Sequence, residues 1–570
     1  MAPNERTASS PVPGQRVIPT GTVTEYYRRD WWRSTTAIDD LLIQADARPD
    51  TPAVVSYRSG HPEPDRHTFA ELELLTRRVA AALINLGIGV GDVVSVQLPN
   101  TWQFPALVYG ILRAGAVVNP LVPIFRNREL DFILRRTESR ALIVPDVFRG
   151  HDHASMAADL IESIEGLEHA FVLRTGPVGS DVALPSGTRD LAQILDHPWE
   201  QRAGLDQELA SRAPGPDDLV QIQFTSGTTG EPKGVLHSYN TIHSGGRCID
   251  EIYGLTADDV CFMASTLAHQ TGFGYGMMKP LGMGMTVVYQ DQWDAEQLLD
   301  AIETEGVTWT VSATAFAMDM IAAQRRRPRD LDSFTYFICG GAPIPPKVVE
   351  EAAEVLGAQL IAVWGMTENM VVTTTRVGDP VELVSDSDGT VVDWMEIRII
   401  DDTGRPVEVG QSGDLEVRGP SQALGYFFRD DLYAAASPDG DWFATGDVAR
   451  LRPDGGIRIV GRTKDLIIRG GENIPVAEVE DLLLRHPSVV EVAVVGLPDD
   501  RLGERACAVI TAANHAPSLA DLTTHLHEAG MAKQFWPERL HVLAEMPRTP
   551  SGKIQKFKLR EQLLSPDPTK

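Results

Sequence analysis

Short strand-like runs rich in apolar residues recur along the chain, one of them, Ala141-Leu-Ile-Val144, fully apolar, separated by stretches with helical spacing. Val93-Val-Ser-Val-Gln-Leu98, Ala141-Leu-Ile-Val144, Val287-Val288, Val307–Val311 and Phe334–Ile338 are of this type. A strand buried on both faces reads as a continuous apolar run, and such burial requires helices alternating with strands. The expected fold is therefore α/β with layered sheets. Thr68-Phe-Ala-Glu71 has the form of a capping box, and Leu72, Leu75, Val79, Leu83 and Leu86 follow at helical spacing up to Gly87. Residues 375–420 change character. Gly/Asp turns separate short alternating strands such as Glu396–Ile400 and Asp414–Arg418, which predicts a small β subdomain. The pattern resets after residue 465. A helix over 476–485, strands over 489–495 and 508–511, and a second helix opened by Ser518 with Asp521 predict a small terminal α+β domain. Residues 1–35 read as an extended arm.

With 570 residues, two or more domains are expected, and a 43% apolar content supplies a real core. The formal charge of −28 argues against nucleic-acid or anionic-membrane binding, so an anionic ligand must be met by local positive sites. Cys248, Cys261, Cys339 and Cys507 form no CxxC pair and no zinc-ligand spacing. Buried reduced thiols fit a cytoplasmic protein. The most membrane-like stretch, Ala106 to Phe125, carries Arg113, Asn119, Pro120 and Pro123 and reads as buried core, so no stable membrane insertion is expected.

The run Thr225-Ser-Gly-Thr-Thr-Gly-Glu-Pro-Lys-Gly234 packs three glycines, four hydroxyl residues and Lys233 into ten positions. Such a loop bends tightly and presents N–H groups and hydroxyls to an anion, with nucleotide phosphate the obvious ligand. It is not a Walker A loop, because Pro232 precedes the lysine and Gly234 follows it.

Five further motifs follow in order: Gly340-Gly-Ala-Pro343, Trp364-Gly-Met-Thr-Glu368, Trp442-Phe-Ala-Thr-Gly-Asp447, Gly461-Arg-Thr-Lys-Asp465 and Pro547-Arg-Thr-Pro-Ser-Gly-Lys553. From about Ile38 to Leu563 the set resembles the adenylate-forming superfamily of acyl-CoA synthetases, luciferases and peptide-synthetase adenylation domains. Val122-Pro-Ile-Phe-Arg126, Leu267-Ala-His-Gln-Thr-Gly272, Trp364–Asn369 and Arg469-Gly-Gly-Glu-Asn-Ile-Pro475 are most similar to AMP-forming ligases of the cyclohexanecarboxylate type. The resemblance implies an N-terminal AMP- and acyl-binding domain over 1–461, a hinge at 462–465 and a mobile C-terminal domain over 466–570. It implies ATP/AMP, Mg²⁺ and coenzyme A as cofactors and co-substrates, and leaves a homodimer open.

The chemistry explains why such parts are needed. A carboxylate is a poor acylating agent; attack on the α-phosphate of ATP makes an acyl-adenylate, from which a thiol displaces AMP. The first step brings an anion onto a polyanion, so charge must be neutralised. Coulomb attraction at ~4 Å is ~1 kcal/mol in water but ~4 kcal/mol at an effective dielectric of ~20, so a lysine in a closed cleft is worth more than one on the surface. By resemblance, Lys553 bridges carboxylate and α-phosphate, and Glu368 with Thr225 holds Mg²⁺. Thr367 contacts phosphate alongside Thr225, Ser226, Gly227, Thr228, Thr229, Gly230 and Lys233. Gly341, Ala342, Pro343, Trp364, Gly365 and Met366 line the adenine site. Asp447 and Arg462 hold the ribose, His269 gates the acyl pocket, and Lys464 is the hinge. Arg469, Gly470, Gly471 and Lys533 are expected to meet CoA after rotation about that hinge. No acidic residue lies between His269 and Lys279 to hold a substrate amine, whereas Phe273, Tyr275, Met277 and Met278 offer an apolar wall.

The implied function is conversion of an apolar alicyclic, aryl, fatty or terpenoid acid, ATP and CoA to acyl-CoA, AMP and pyrophosphate. Some positions depart from the pattern. Gly389-Thr-Val-Val-Asp-Trp394 replaces a Gly-Arg-Pro-x-Pro-Gly turn, and Ala315 and Thr266 replace prolines. Two alternatives follow: an enzyme that mainly thioesterifies a preformed acyl-adenylate, or one that adenylates and loads a carrier protein in trans.

Overall fold

The computed structural model describes residues 13–176, 183–225, 232–341, 344–462, 467–469, 472–474, 476–499, 503–513, 515–529, 531, 533–548 and 554–564. Two large sheets with helices between them form the bulk of the N-terminal part. The eight-stranded sheet runs, in spatial order, Gly425–Tyr426, Lys233–Ser238, Leu219–Thr225, Val117–Pro120, Val93–Val96, Ala141–Pro145, His169–Leu173 and Thr188–Asp190. The nine-stranded sheet runs Thr390–Val391, Met370–Thr374, Gln359–Met366, Tyr336–Gly340, Trp309–Ser312, Val260–Met263, Thr286–Gln290, Pro52–Tyr57 and Asp65–Thr68. Inner strands pair in parallel, and their residues are buried almost without exception, as the continuous apolar runs require.

The helix Phe69–Asn85 begins where expected. The Thr68 hydroxyl accepts from the Glu71 N–H while the Glu71 carboxylate accepts from the Thr68 N–H. It packs against the helix Gln103–Arg113, whose residues are all buried; with the strand Val117–Pro120, this accounts for the apolar stretch from Ala106 as core. Among the described residues no helix is long and apolar enough to cross a membrane. All four cysteines are free and buried.

A four-stranded antiparallel sheet, Glu396–Ile400, Ser412–Arg418, Phe443–Leu451 and Ile457–Arg462, is the expected β subdomain, and it runs on to Arg462. The smaller C-terminal domain is a separate sheet built around Val489–Asp499 and Gly503–Ala512, with the helices Val476–Leu484 and Leu519–Glu528 on it. Ser518 and Asp521 form the anticipated capping box.

The N-terminal arm departs from its sequence reading. Of its described residues, those around Gln15 are extended: Gln15 bridges Gly425, the Arg16 N–H donates to Leu424 O at 2.6 Å, and the Phe428 N–H donates to Pro13 O. Thr20–Arg28 is then a helix with no buried residue. Its apolar content is too low for periodicity to flag it; Glu25 paired with Arg28 and Arg29 supports it locally.

The 389–394 segment is ordered into the nine-stranded sheet without the prolines of the expected turn. Thr390 and Val391 pair with Thr374 and Thr373 as an antiparallel edge strand, and the Val392 N–H continues the ladder by donating to Val372 O at 3.0 Å. Gly389 turns into it at φ +87°, with a Cβ excluded by the Thr374 backbone, and Trp394 is buried with the Arg247 guanidinium 5.3 Å from its ring.

Candidate active site

Described residues of the Thr225–Gly234, Trp364–Glu368, Trp442–Asp447 and Gly461–Asp465 motifs come together where the two large sheets and the small sheet meet. The strand Leu219–Thr225 and the strand Lys233–Ser238 are antiparallel, with Thr225 opposite Lys233. They are the stem of the glycine-rich loop, whose tip residues Ser226, Gly227, Thr228, Thr229 and Gly230 lie outside the described residues. On the other side of Lys233–Ser238, Val235 pairs with Tyr426. The Lys233 ammonium sits 4.9 Å from the centre of the Tyr426 ring.

From the other large sheet, Gln359–Met366 and Met370–Thr374 form a hairpin whose turn is Thr367-Glu368-Asn369. Gly365 has no room for a side chain, because a Cβ there would overlap the Met370 carbonyl across the hairpin. The turn is fastened to the first sheet at three points. The Tyr426 hydroxyl donates to Glu368 Oε1 at 2.7 Å, the Ala423 N–H donates to Glu368 O at 2.7 Å, and His237 Nε2 lies 2.8 Å from Thr367 O. Burial, with the Glu368 charge beside it, pushes the Tyr426 hydroxyl far above its ordinary pKa, so it remains a donor. His237 is fully enclosed and its pKa is held down to about 4 by desolvation. The neutral ring donates to Thr367 O from Nε2, and Nδ1 meets Thr241 Oγ1 at 3.0 Å.

Trp364 and Asp447 tie the nine-stranded sheet to the small one. The Trp364 indole N–H donates to Asp447 Oδ2 at 3.1 Å, and Arg462 Nε lies 2.9 Å from Asp447 Oδ1. Asp447 is buried and stands opposite Arg462 in the ladder. Both carboxylate oxygens are thus oriented from behind, and each retains acceptor capacity for a diol. Gly341, at φ +84°, follows the strand Tyr336–Gly340 alongside Gln359–Met366. Met366 closes the hairpin opposite Met370. His269 is half-buried and caps the helix Gln270–Phe273, its Nδ1 accepting from the Thr271 N–H at 3.4 Å. Phe273, Tyr275, Met277 and Met278 are all part of the main buried cluster.

The structure thus brings together Thr225, Lys233, Thr367, Glu368, Trp364, Gly365, Met366, Asp447 and Arg462. Ala342, Pro343, Lys464, Gly470, Gly471 and Lys553 lie outside the described residues. Of Arg469 only the backbone is described, in a hairpin of the C-terminal sheet opposite Glu472. Lys533 lies in a short 3-10 turn of that domain and is exposed. Sequence reasoning missed His237 and Tyr426. Each acts across a large gap, 130 and 58 residues respectively, and neither sits in a motif that carries chemistry.

As a donor set for a metal, Glu368 contributes one oxygen to Tyr426, and its other has no hydrogen-bond partner among the described residues. Among the described residues no group of three or more His, Cys, Asp or Glu side chains is arranged to hold a metal ion. One carboxylate with a hydroxyl fits Mg²⁺, which keeps several waters and takes phosphate oxygens, and does not fit a metal needing a full protein cage.

Comparison with known proteins agrees with this arrangement. The family described as AMP-binding enzyme matches residues 41–427, and the AMP-binding enzyme C-terminal domain matches 478–553. The chain therefore belongs to the adenylate-forming, AMP-binding enzyme family, as an AMP-forming acid–thiol ligase. It is similar to the medium-chain fatty-acid–CoA ligase of Escherichia coli (strain K12), with 32% identity over 95% of this chain and 92% of the relative. It is similar to the 2-hydroxy-7-methoxy-5-methyl-1-naphthoate–CoA ligase of Streptomyces carzinostaticus, with 34% identity over 97% and 98%. The crystal structure of the anthranilate CoA ligase AuaEII in complex with anthranoyl-AMP superposes with a TM-score of 0.79 at 25% identity, covering 93% of this chain and 97% of that one.

Proposed function

We propose that this enzyme activates an apolar carboxylic acid (alicyclic, aryl, fatty or terpenoid) with ATP and transfers the acyl group to coenzyme A. The observation that carries the reading is that Glu368 is braced by Tyr426 of the eight-stranded sheet and Asp447 by Trp364 of the nine-stranded sheet, while Lys233 of the Thr225/Lys233 stem lies over the same Tyr426 ring. Bracing of this kind preorganises polar groups so that they need not reorient as charge develops. In this reading Asp447 and Arg462 bind the ribose, and Trp364, Gly365, Met366 and residues 341–343 hold the base. Thr225, Lys233 and the 226–230 loop bind phosphate with Thr367. Glu368 and Thr225 would hold Mg²⁺, which when bound neutralises phosphate charge. Lys553 meets the reacting carboxylate and α-phosphate, and rotation about Lys464 exchanges it for the face carrying Arg469, Gly470 and Gly471, where CoA enters.

The edge strand built at Thr390–Val391 supports the two-step reaction over the thioesterification-only alternative, because the departures there are absorbed into the sheet. A panel of apolar acids with ATP and Mg²⁺, assayed for pyrophosphate without CoA and for thioester with it, tests the reading. Release of pyrophosphate without CoA and thioester with CoA is the expected result. Thioester from supplied acyl-AMP, with no pyrophosphate from any acid, would refute the two-step reading.

A further inference from the structure

Met370 lies two residues beyond Glu368 and is one of five described non-glycine residues with positive φ, at +56°. That region disfavours ordinary side chains, so its use here calls for a reason. Its side chain is buried. Gln270 Nε2 donates to the Met370 sulfur at 3.0 Å, and a Cβ on Gly274 would come within 2.6 Å of Met370 Cε. A Cβ on Gly245 would overlap Met370 Cβ itself. Three segments therefore meet on one thioether: the turn that holds Glu368, the helix opened by His269, and the helix Tyr239–Gly246. Gly274–Met278, immediately after, is a π-helical turn, a local distortion that recurs at functional sites.

We propose that Met370 is a movable plug that fills the acyl end of the site and sets how large an acid is accepted. This rests on the acid-activating function proposed above. Methionine is unbranched with three rotatable bonds, so it can vacate space without moving the backbone. A thioether is a weak acceptor, so Gln270 loses little when the sulfur swings away. Among the described residues Gln270 Oε1 is buried without a hydrogen-bond partner, and the Nε2 of this carboxamide meets only the Met370 sulfur. A Cβ on either glycine would run into the methionine, so both positions keep space for its side chain between the Glu368 turn and the helix Tyr239–Gly246.

The test compares wild type with Met370→Ala and Met370→Gly, the glycine variant also relieving the positive φ should the alanine variant fold poorly. Acid-dependent pyrophosphate release is measured over a graded series from butyrate through cyclohexanecarboxylate to adamantanecarboxylate. The plug requires the ratio of kcat/KM for the bulkiest acid to that for the smallest to rise at least about 10-fold in either variant, since one or two methylenes in a pocket are worth that much. Met370→Leu, which keeps the volume, should leave the order of preference unchanged. An unaltered ratio in folded Met370→Gly, or an equal shift in Met370→Leu, overturns the plug. If the wild type activates no acid, the proposed function fails by itself. The plug is then read by calorimetric binding of acyl-sulfamoyl adenosines of the same series, where identical affinity ratios in wild type and Met370→Gly refute it.

Discussion

Replacing His237 by Gln isolates the pH dependence of one buried group. His237 has a pKa of about 4 in the folded protein, against about 6.5 for an unperturbed imidazole. Desolvation is the cause, opposed only by the bond to Thr367 O. Between those two values the unfolded chain binds the proton and the folded one does not, so stability falls as pH falls through that window and is flat above it. At pH 5.0 the linkage amounts to about 2 kcal/mol relative to pH 7.5. Glutamine supplies an amide N–H toward Thr367 O but cannot be protonated, so the variant should lose about 2 kcal/mol less than wild type over this range. The other histidines are common to both proteins and cancel in the comparison. Urea unfolding followed by tryptophan fluorescence at pH 7.5 and 5.0 measures the difference. Parallel pH dependence of the two proteins would refute the assignment of His237 as a neutral prop beneath the Thr367–Glu368 turn.

Tyr426→Phe keeps the ring beneath Lys233 and removes only the hydroxyl bonded to Glu368. A hydrogen bond to a charged group is worth about 1.5–3 kcal/mol, so kcat/KM for MgATP should fall roughly 10- to 100-fold, read by initial rates at varied Mg²⁺. Trp364→Phe removes the donor to Asp447 while retaining an aromatic face, and should raise KM for ATP by roughly 5-fold with a smaller effect on kcat. Lys553→Ala should abolish acid-dependent pyrophosphate release by about two orders of magnitude or more, yet retain thioester formation from supplied acyl-AMP and CoA. Equal loss of both half-reactions would count against the assigned role.

Local signals were legible wherever chemistry and geometry are decided within a few residues. The Thr68/Glu71 and Ser518/Asp521 pairs mark helix starts because each satisfies N–H groups within one turn. Ala141–Pro145 announces a two-sided burial by its composition alone. The crevice is another matter. The link from Trp364 to Asp447 crosses 83 residues and joins two sheets, so no periodicity could reveal that the indole N–H orients a carboxylate. Tyr426 lies in a two-residue strand too short for any pattern. The replaced 389–394 turn was legible as a departure, but its outcome as an edge strand depends on Thr373 and Thr374 offering a free ladder.

The part of the N-terminal arm described from Pro13 onward has a consequence for handling the protein. By adding a bridge at Gly425 and covering Leu424, it finishes an otherwise open sheet border beside the tyrosine that steadies Glu368. Proteolytic trimming past Arg16 would thus strip a guard against self-association and loosen the Glu368 carboxylate in the same stroke. Aggregation and lost turnover should then appear together in clipped preparations.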